Sequence, residues 1–329
     1  MGASSRAVLV VRVCPADLGR RVTVRHRLAG EPRLSDVVGT LTGWADGVLS
    51  VTRRDGTLAR VADQDVVAAK VVPPEVSAYD VQRVAEAGWP PERSAQLGDW
   101  TLRWTRGVTG RANSVRVGAD PGRPLGEALA QVTAWYAGLE SPPLLQQPAP
   151  WPGEATLEDL GWRVRRHTQV WTTTTAQLVS ATDAGAPAGV EVAAVPGPDD
   201  QWLAMLSDED PSTWPVYREI LLRPTEVVFL AARDRTTGEL MGVARASVAT
   251  LPGGRSRWAG ITSLEVSPAA RGQGIARALT GGLARWAGDR GAGTTYLQVL
   301  VGNTAAENLY RNLGFARHHD YVYRAPDPT

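Results

Sequence analysis

The chain repeats part of its own sequence, and this repeat constrains the possible fold more than any other feature. The segment Leu160–His167 resembles Leu313–His319, with Gly161 matching Gly314 at a separation of 153 positions. Upstream, Trp135 matches Trp286 at a separation of 151. Two matches in the same order and at nearly the same offset predict a duplicated fold. Because Leu-Gly-aromatic is also a common helix ending, a chance match is the alternative.

The first 74 residues have a different pattern, in which short β-branched segments alternate with turn residues. The expected strands are Arg21–Arg25, Val37–Leu41, Val48–Val51, Leu58–Val61 and Val66–Val71. The expected turns are Gly30, Ala45-Asp46-Gly47 and Arg54-Asp55-Gly56. Asp-Gly between such segments is a strong hairpin signal. The pattern predicts a small all-β, SH3-like barrel over residues 1–74 that ends at Val72-Pro73-Pro74.

After Pro74 the pattern predicts alternating helices and strands. In the first copy we expect helices at Val76–Ala87 and Leu125–Ala137, strands at Trp100–Arg106 and Ser114–Val117, and a loop at Ser141–Gly153. A second region begins near Val190. Its expected helices are Asp199–Leu206, Pro211–Leu222, Ile275–Arg290 and Ala305–Leu313. Its expected strands are Val227–Arg233, Leu240–Val248, Ile261–Val266, Tyr296–Val301 and Asp320–Arg324. The duplication predicts two mixed α/β domains, at residues 75–180 and 181–329.

Bulk properties exclude several classes of protein. Cys14 is the only cysteine, which excludes an intrachain disulfide and a multi-cysteine metal site, so we expect no metal. No apolar segment approaches the length that spans a bilayer, and Arg12 interrupts the short apolar segment near Met1. The net charge of +1 gives no global attraction to nucleic acid or membranes. We expect a cytoplasmic protein.

The segment Leu264–Leu279 has the pattern of a phosphate-binding site. An expected strand leads into a loop containing Gly272 and Gly274, and the loop opens a long amphipathic helix. Glycines let a ligand approach the backbone, and the free N–H groups at a helix start favour an anion. This arrangement predicts binding of a phosphate or diphosphate. A helix start without a ligand is the alternative.

Two other phosphate-binding motifs do not match this segment. A P-loop needs a Lys-Ser or Lys-Thr pair, and the only lysine of the chain is Lys70. A dinucleotide-binding motif needs a third glycine and a downstream acidic residue, which Gly272–Arg277 does not supply.

Two motifs in the second copy resemble those of the GNAT acetyltransferases. Arg271-x-x-Gly274-x-Ala276, preceded by Val266-x-Pro268, resembles the coenzyme-binding signature of that superfamily. About thirty residues later, Asn303-x-x-Ala306-x-x-Leu309-Tyr310-x-x-x-Gly314-Phe315 resembles its second hallmark. The layout of a small barrel followed by tandem GNAT-like halves also resembles a group of actinobacterial enzymes assigned as histone or protein acetyltransferases.

The resemblance implies an acetyl-CoA site. Backbone amides of Arg271, Gly272, Gln273, Gly274, Ile275, Ala276 and Arg277 would hold the diphosphate. The strand ending at Val266 would separate from the strand ending near Val301, and the pantetheine would lie in the gap beside Leu264 and Val266. The Val266 amide would stabilise the oxyanion of the reaction. Asn303 would bond to the pantetheine, serve as a helix N-cap, or do both.

The resemblance also suggests two catalytic residues. Tyr310 is the candidate general acid, since a phenol can protonate the departing thiolate; a core tyrosine is the alternative. Glu265 is the candidate general base, since it is the acidic residue nearest in sequence to the oxyanion site. A substrate contact or a solvated strand residue is the alternative for Glu265. Two positions that carry a glutamate in other family members have Gln298 and Gly260 here.

The first copy lacks these signals. Its equivalent loop contains Asp120, Pro121 and Pro124, which supply a negative charge and two residues without an N–H donor. We expect it to form a wall of the acceptor cleft or to support the active half. The polar segment Thr109–Ser114 has two interpretations, a functional contact or a turn before a strand.

The sequence therefore predicts an N-acetyltransferase that moves an acetyl group from acetyl-CoA to a primary amine in a ternary complex. A protein lysine or N-terminus is the expected acceptor, and the barrel is a candidate surface for a protein partner. A small-molecule amine, as in mycothiol synthesis, and a non-catalytic coenzyme sensor are the alternatives.

Overall fold

The computed structural model of the chain describes residues 13–28, 33–53, 56–72, 76–206, 210–254 and 256–327. It divides the chain into two compact units, residues 1–76 and 77–329. The predicted turn residues Gly30, Arg54 and Asp55, and the predicted boundary Pro73-Pro74, lie outside the described residues. Across the described ranges, no helix is both long enough and apolar enough to cross a membrane.

The first unit contains one antiparallel sheet of five strands. These are β1 (Arg21–Arg27), β2 (Leu34–Ala45), β3 (Val48–Thr52), β4 (Leu58–Ala62) and β5 (Val66–Val71). The sheet order is β4-β3-β2-β1-β5. Inward-facing residues such as Val22, Val24 and Leu41 alternate with exposed ones and form one core. The predicted small all-β domain is confirmed.

The second unit contains helices packed on a long sheet. Its helices are α1 (Ala78–Ala87), α2 (Leu125–Ala137), α3 (Glu154–Asp159), α4 (Thr175–Ala181), α5 (Asp200–Ala204), α6 (Trp214–Leu222), α7 (Ile275–Asp289) and α8 (Thr304–Asn312). Its strands are β6 (Arg93–Leu97), β7 (Trp100–Trp104), β8 (Val115–Arg116), β9 (Leu145–Ala149), β10 (Trp162–Thr174), β11 (Val190–Val195), β12 (Val227–Asp234), β13 (Leu240–Thr250), β14 (Arg257–Val266), β15 (Ala292–Leu300) and β16 (Ala316–Pro326).

The two halves of this unit exchange their last strands within one sheet. The strand order is β11-β12-β13-β14-β15-β10-β16-β9-β8-β7-β6. β10 closes the first half of the chain but pairs with β15 of the second, from Thr168 opposite Leu300 to Thr174 opposite Thr294. β16 closes the second half but pairs with β9 of the first. The predicted boundary between residues 180 and 181 lies within α4, and strands from both sides of it belong to one hydrogen-bonded sheet.

One predicted loop is wrong. Residues 141–153 contain β9, which pairs with β8 and with β16. Its glutamines are buried because buried arginines satisfy them: Arg103 donates to Gln146 Oε1 at 2.5 Å, and Arg324 donates to Gln147 Oε1 at 2.7 Å. The Pro- and Gln-rich sequence of this segment hides a strand that only tertiary contacts stabilise.

Candidate active site

The adjacent parallel strands β14 and β15 separate at the centre of the sheet. Their pairing ends at Ile261 opposite Leu297, although β14 continues to Val266 and β15 to Leu300. β14 has a bulge at this point. Thr262 pairs with Arg245 of β13 and Glu265 pairs with Val243, so β14 contains one residue more than β13 between the two pairs. Ser263, in this bulge, has a positive φ of 52°. The gap between the strands that the family resemblance implied is confirmed.

The loop after β14 presents a helix start without a side-chain cap. Gly274 is the N-cap of α7, with a left-handed φ of 82°, and it carries no side chain to bond to the first turn. Gly272 also has a positive φ of 77° and nothing within 4 Å of an added Cβ. The N–H groups at this helix start therefore have no side-chain cap, and the positive end of the helix dipole lies at the same place.

The gap, the loop and the first turn of α8 enclose a cavity of about 670 Å³, which we call the donor cavity. Eleven of the twelve predicted site residues line it: Leu264, Glu265, Val266, Arg271, Gly272, Gly274, Ile275, Ala276, Arg277, Asn303 and Tyr310. The remaining one, Gln273, is exposed, and its side chain donates to the Ala269 carbonyl at 3.1 Å. Two exposed arginines, Arg271 and Arg277, add positive charge beside the glycine loop.

Asn303 has a defined structural role at the edge of the donor cavity. It is the N-cap of α8, and its Oδ1 accepts a hydrogen bond from the Ala306 amide at 3.1 Å. The N-cap interpretation is therefore confirmed. Because this bond uses Oδ1, the side-chain amide nitrogen is the group with which Asn303 would bind a ligand.

Tyr310 is buried at the inner end of the donor cavity. Its ring packs edge-on against Phe315 with a centroid distance of 5.6 Å. Burial raises the pKa of the Tyr310 phenol, and the nearby Glu265 carboxylate raises that pKa further. The phenol therefore stays protonated throughout the neutral pH range and remains a proton donor.

Glu265 lies between two cavities. It lines the donor cavity and also a second, smaller cavity of about 300 Å³, which we call the acceptor cavity. Among the described lining residues of both cavities, Glu265 is the only carboxylate. It is half-buried on β14, directly after the bulge. Its position gives one carboxylate access to both spaces.

The two other candidate base positions have different surroundings. A Cβ added to Gly260 would lie 2.3 Å from Tyr296 Oη, so the tyrosine ring occupies the space that a side chain would need. Gln298 Oε1 accepts a hydrogen bond from the Tyr321 hydroxyl at 2.9 Å. Position 260 therefore has no room for an acidic side chain, whereas Gln298 makes a hydrogen bond that a glutamate could also accept.

The walls of the acceptor cavity come from both halves of the second unit. Trp89 and Arg111 belong to the first half, while Tyr217, Tyr321 and Tyr323 belong to the second. Four of these residues are aromatic, and the sequence motifs identified none of the four. The alternation of Tyr321 and Tyr323 on one strand face was a signal, and the polar segment Thr109–Ser114 pointed to Arg111.

The equivalent loop of the first half makes several contacts within the protein. The Asp120 carboxylate accepts a hydrogen bond from the Gly122 amide at 2.7 Å, so this N–H group already has an acceptor. Trp151 Nε1 donates to the Gly118 carbonyl at 3.1 Å, and a Cβ on Gly118 would lie 2.4 Å from the Asp99 carbonyl oxygen. The protein itself fills this loop.

Comparison with protein families gives two matches. Residues 79–324 match the family described as "Probable histone acetyltransferase Rv0428c C-terminal". Residues 16–70 match the family described as "Rv0428c N-terminal Sm-like domain". The predicted barrel domain is therefore similar to Sm-like domains, which are also small and β-rich.

Individual relatives agree with this result. The uncharacterized N-acetyltransferase YobR of Bacillus subtilis is 26% identical over 250 residues, covering 74% of the chain and 96% of that protein. The mycothiol acetyltransferase of Renibacterium salmoninarum is 34% identical over 102 residues, covering 31% of the chain and 30% of that protein.

Two solved structures share the fold. A GCN5-related N-acetyltransferase from Kribbella flavida aligns with a TM-score of 0.58 at 18% identity, covering 78% of the chain and 98% of that protein. A tandem GNAT protein from the clavulanic acid biosynthesis pathway aligns with a TM-score of 0.54 at 15% identity, covering 78% and 91%. The predicted tandem GNAT-like fold is confirmed.

Proposed function

The chain belongs to the acetyltransferase family represented by the Rv0428c C-terminal domain and is a GNAT-type N-acetyltransferase that uses acetyl-CoA; on this premise we propose that it acetylates a primary amine by direct attack in a ternary complex. The observation that supports this proposal most strongly is the position of Glu265. A single carboxylate borders both the donor cavity and the acceptor cavity, so two substrates can meet beside it.

The donor cavity suits an extended thioester with a diphosphate. The start of α7 and the glycine loop offer backbone N–H groups to the diphosphate, with Arg271 and Arg277 alongside. The gap between β14 and β15 leaves room for the pantetheine to pair with the backbone of β14 at Leu264 and Val266. In this arrangement the Val266 amide stabilises the oxyanion.

The chemical step needs two proton transfers. The neutral amine nitrogen attacks the thioester carbonyl carbon, a C–N bond forms, and the C–S bond breaks. Glu265 accepts the amine proton, directly or through water, and Tyr310 donates a proton to the departing thiolate. The raised pKa of Tyr310 keeps its proton available at neutral pH.

The size of the acceptor cavity favours a small primary amine. Its volume of about 300 Å³ lies at the lower end for ligand sites, and aromatic side chains from both halves surround it. The first half acts as a wall of this cavity through Trp89 and Arg111. A lysine side chain of a protein is the competing acceptor.

The proposal is tested by measuring thiol release and acetylated product from acetyl-CoA with small amines, basic peptides and intact proteins. We expect turnover with at least one small amine, and we expect Glu265→Gln to lower kcat by about a hundredfold. The Kd of CoA in calorimetry should stay unchanged in that variant. Tight coenzyme binding without turnover on any acceptor would instead identify a coenzyme sensor.

The donor site needs a separate test with a matched control. Gly274→Glu places a negative side chain at the start of α7, and we expect it to abolish measurable CoA binding. Gly238→Glu is the control, since Gly238 has a similar φ of 73° and nothing within 4 Å of an added Cβ, but lies outside the donor cavity. Undiminished CoA binding by Gly274→Glu contradicts the proposed site.

A further inference from the structure

The acceptor cavity contains two buried hydrogen-bond donors that lack acceptors. Arg111 Nε and Gln298 Nε2 are buried, and neither has a hydrogen-bond partner among the described residues. Both side chains line the acceptor cavity. Leaving a buried donor without an acceptor costs about 1–3 kcal/mol, so a ligand oxygen that bonds to these two atoms is favoured.

The position of Arg111 is fixed by aromatic contacts. Its guanidinium lies over the Trp89 ring, with Cζ 5.1 Å from the ring centroid. Burial lowers the pKa of Arg111, but the neighbouring tyrosines, chiefly Tyr321 and Tyr323, raise that pKa, and the net change is upward. Aromatic neighbours hold the cation in place but do not neutralise its charge.

Gln298 is oriented by its neighbour on β16. The Tyr321 hydroxyl donates to Gln298 Oε1 at 2.9 Å, so the amide oxygen is used and the amide nitrogen remains as a donor. This bond fixes which end of the amide is available. Both unsatisfied groups of the cavity are therefore donors, and a ligand must bring oxygen acceptors to them.

The charge of the cavity wall agrees with this requirement. Its charged side chains are Arg111, Arg166 and Glu265, two cations against one anion. A strongly basic peptide brings several positive charges to this wall and is disfavoured by it. A ligand with one amine for Glu265 and one anionic group for Arg111 is complementary to both signs.

From these observations we infer that the acceptor is a small amino-carboxylate, whose carboxylate binds Arg111 and Gln298 while its amine faces Glu265. This inference rests on the proposed acetyl transfer, because it assigns the second substrate of the same reaction. A carboxylate has two oxygens, and a planar guanidinium with an adjacent amide donor is suited to binding them.

The test compares amines that differ only in the carboxylate. We would measure kcat/KM for L-alanine against ethylamine, L-phenylalanine against 2-phenylethylamine, and L-lysine against cadaverine, together with a basic lysine peptide. For at least one pair we expect the carboxylate to raise kcat/KM by at least about tenfold, mainly through a lower KM. Equal values within every pair, or a clear preference for the basic peptide, overturn the inference.

Variants of the two donors make the test specific. Arg111→Gln should reduce the preference within each pair to about twofold or less, and Arg111→Lys should retain part of it. Gln298→Glu places a second carboxylate in the cavity and should reverse the preference toward the amine that lacks one. Because each preference is a ratio within one variant, a partial loss of folded protein does not change it. An unchanged ratio in Arg111→Gln contradicts the assignment.

The outcomes separate this inference from the proposed function. Acetyl transfer to amines with no preference for a carboxylate leaves the proposed function in place and overturns the acceptor assignment. Absence of transfer to any amine, peptide or protein, in a chain that binds CoA, overturns both.

Discussion

Arg245 Nη2 donates a hydrogen bond to the carbonyl oxygen of Gly88 at 3.0 Å, across 157 positions of the chain. The same buried guanidinium donates to the Leu221 carbonyl and to Thr262 Oγ1, each at 3.0 Å. Burial lowers the pKa of Arg245 to about 10, so the side chain stays charged at neutral pH. One arginine thus connects the end of α1, the end of α6 and the strand that carries Glu265.

We therefore expect Arg245→Met to destabilise the second unit by about 3 kcal/mol, because it leaves buried carbonyl oxygens without their donor. Only Ser247 Oγ, at 3.5 Å, would still bond to the Gly88 oxygen. Urea denaturation measures the free energy of unfolding. Arg285→Met, at an exposed position on α7, is the control and should change this value by less than about 0.5 kcal/mol. Equal losses in the two variants would show that the Arg245 contacts contribute nothing specific.

Gly260 and Tyr296 provide a second test. A Cβ at position 260 would lie 2.3 Å from Tyr296 Oη and 2.5 Å from Cζ, so Gly260→Ala forces the buried ring to move. We expect a loss of about 2 kcal/mol in the free energy of unfolding, in the range typical of overpacked cores. Gly293→Ala on the neighbouring strand is the control, because nothing lies within 4 Å of its added Cβ. Tolerance of alanine at position 260 would mean that Tyr296 does not exclude a side chain there.

Removal of the Tyr310 hydroxyl should affect catalysis but not coenzyme binding. In Tyr310→Phe we expect kcat to fall by about a hundredfold while the Kd of CoA changes less than about twofold, because the phenol acts only on the departing thiolate. Burial and Glu265 raise the pKa of Tyr310, so its ionisation should cause no loss of activity below about pH 10. Steady-state kinetics across pH and calorimetry measure both quantities.

Tyr136→Phe is the control for that experiment. The Tyr136 hydroxyl donates to the Arg103 carbonyl at 2.7 Å in the core of the first half, outside both cavities. Its loss should lower stability without lowering kcat. If Tyr310→Phe is fully active, Tyr310 is not the proton donor, and solvent protonates the departing thiolate.

The tyrosines also predict how stability depends on pH. Of the seven tyrosines, Tyr79, Tyr136, Tyr296, Tyr310 and Tyr323 have pKa values raised mainly by burial, that of Tyr296 to about 12. The native state then holds these protons more tightly than the unfolded state. The tyrosine contribution to stability should be fully present below about pH 10 and should decrease as the pH rises further.

Two measurements check this prediction. Tyrosinate absorbance should show fewer ionised tyrosines in the native protein than in urea at the same alkaline pH. The free energy of unfolding should decline less steeply in Tyr296→Phe than in the unchanged chain. If all seven phenols ionise together near pH 10 in the native protein, the predicted burial is wrong.

Many of the regular elements, and the segment that we propose binds the donor, could be predicted because their signals are local. The boundaries of Leu125–Ala137 and Val66–Val71 agree with the structure to the residue. The donor cavity is built mostly from Leu264–Arg277, a contiguous segment with its own glycine and helix signals. A binding site formed by residues that are adjacent in sequence can therefore be proposed from the sequence alone.

The acceptor cavity could not be predicted in the same way. Trp89, Arg111, Tyr217 and Tyr321 converge from positions far apart in the chain, and no periodicity links them. The sequence did not predict β9 because the arginines that bond to its buried glutamines, Arg103 and Arg324, are distant in sequence. Both features depend on the order of strands in the sheet.

Because of the exchange of β10 and β16, the first half supports the strands around the proposed coenzyme site, although it does not line the donor cavity. β10 pairs with β15 from Thr294 to Leu300, which includes the end of β15 beyond Leu297, where β14 no longer pairs with it. A fragment limited to residues 182–329 would expose that edge and would pair with another copy of itself or aggregate. We therefore expect residues 182–329 to be unstable as a separate fragment, although they contain both sequence motifs.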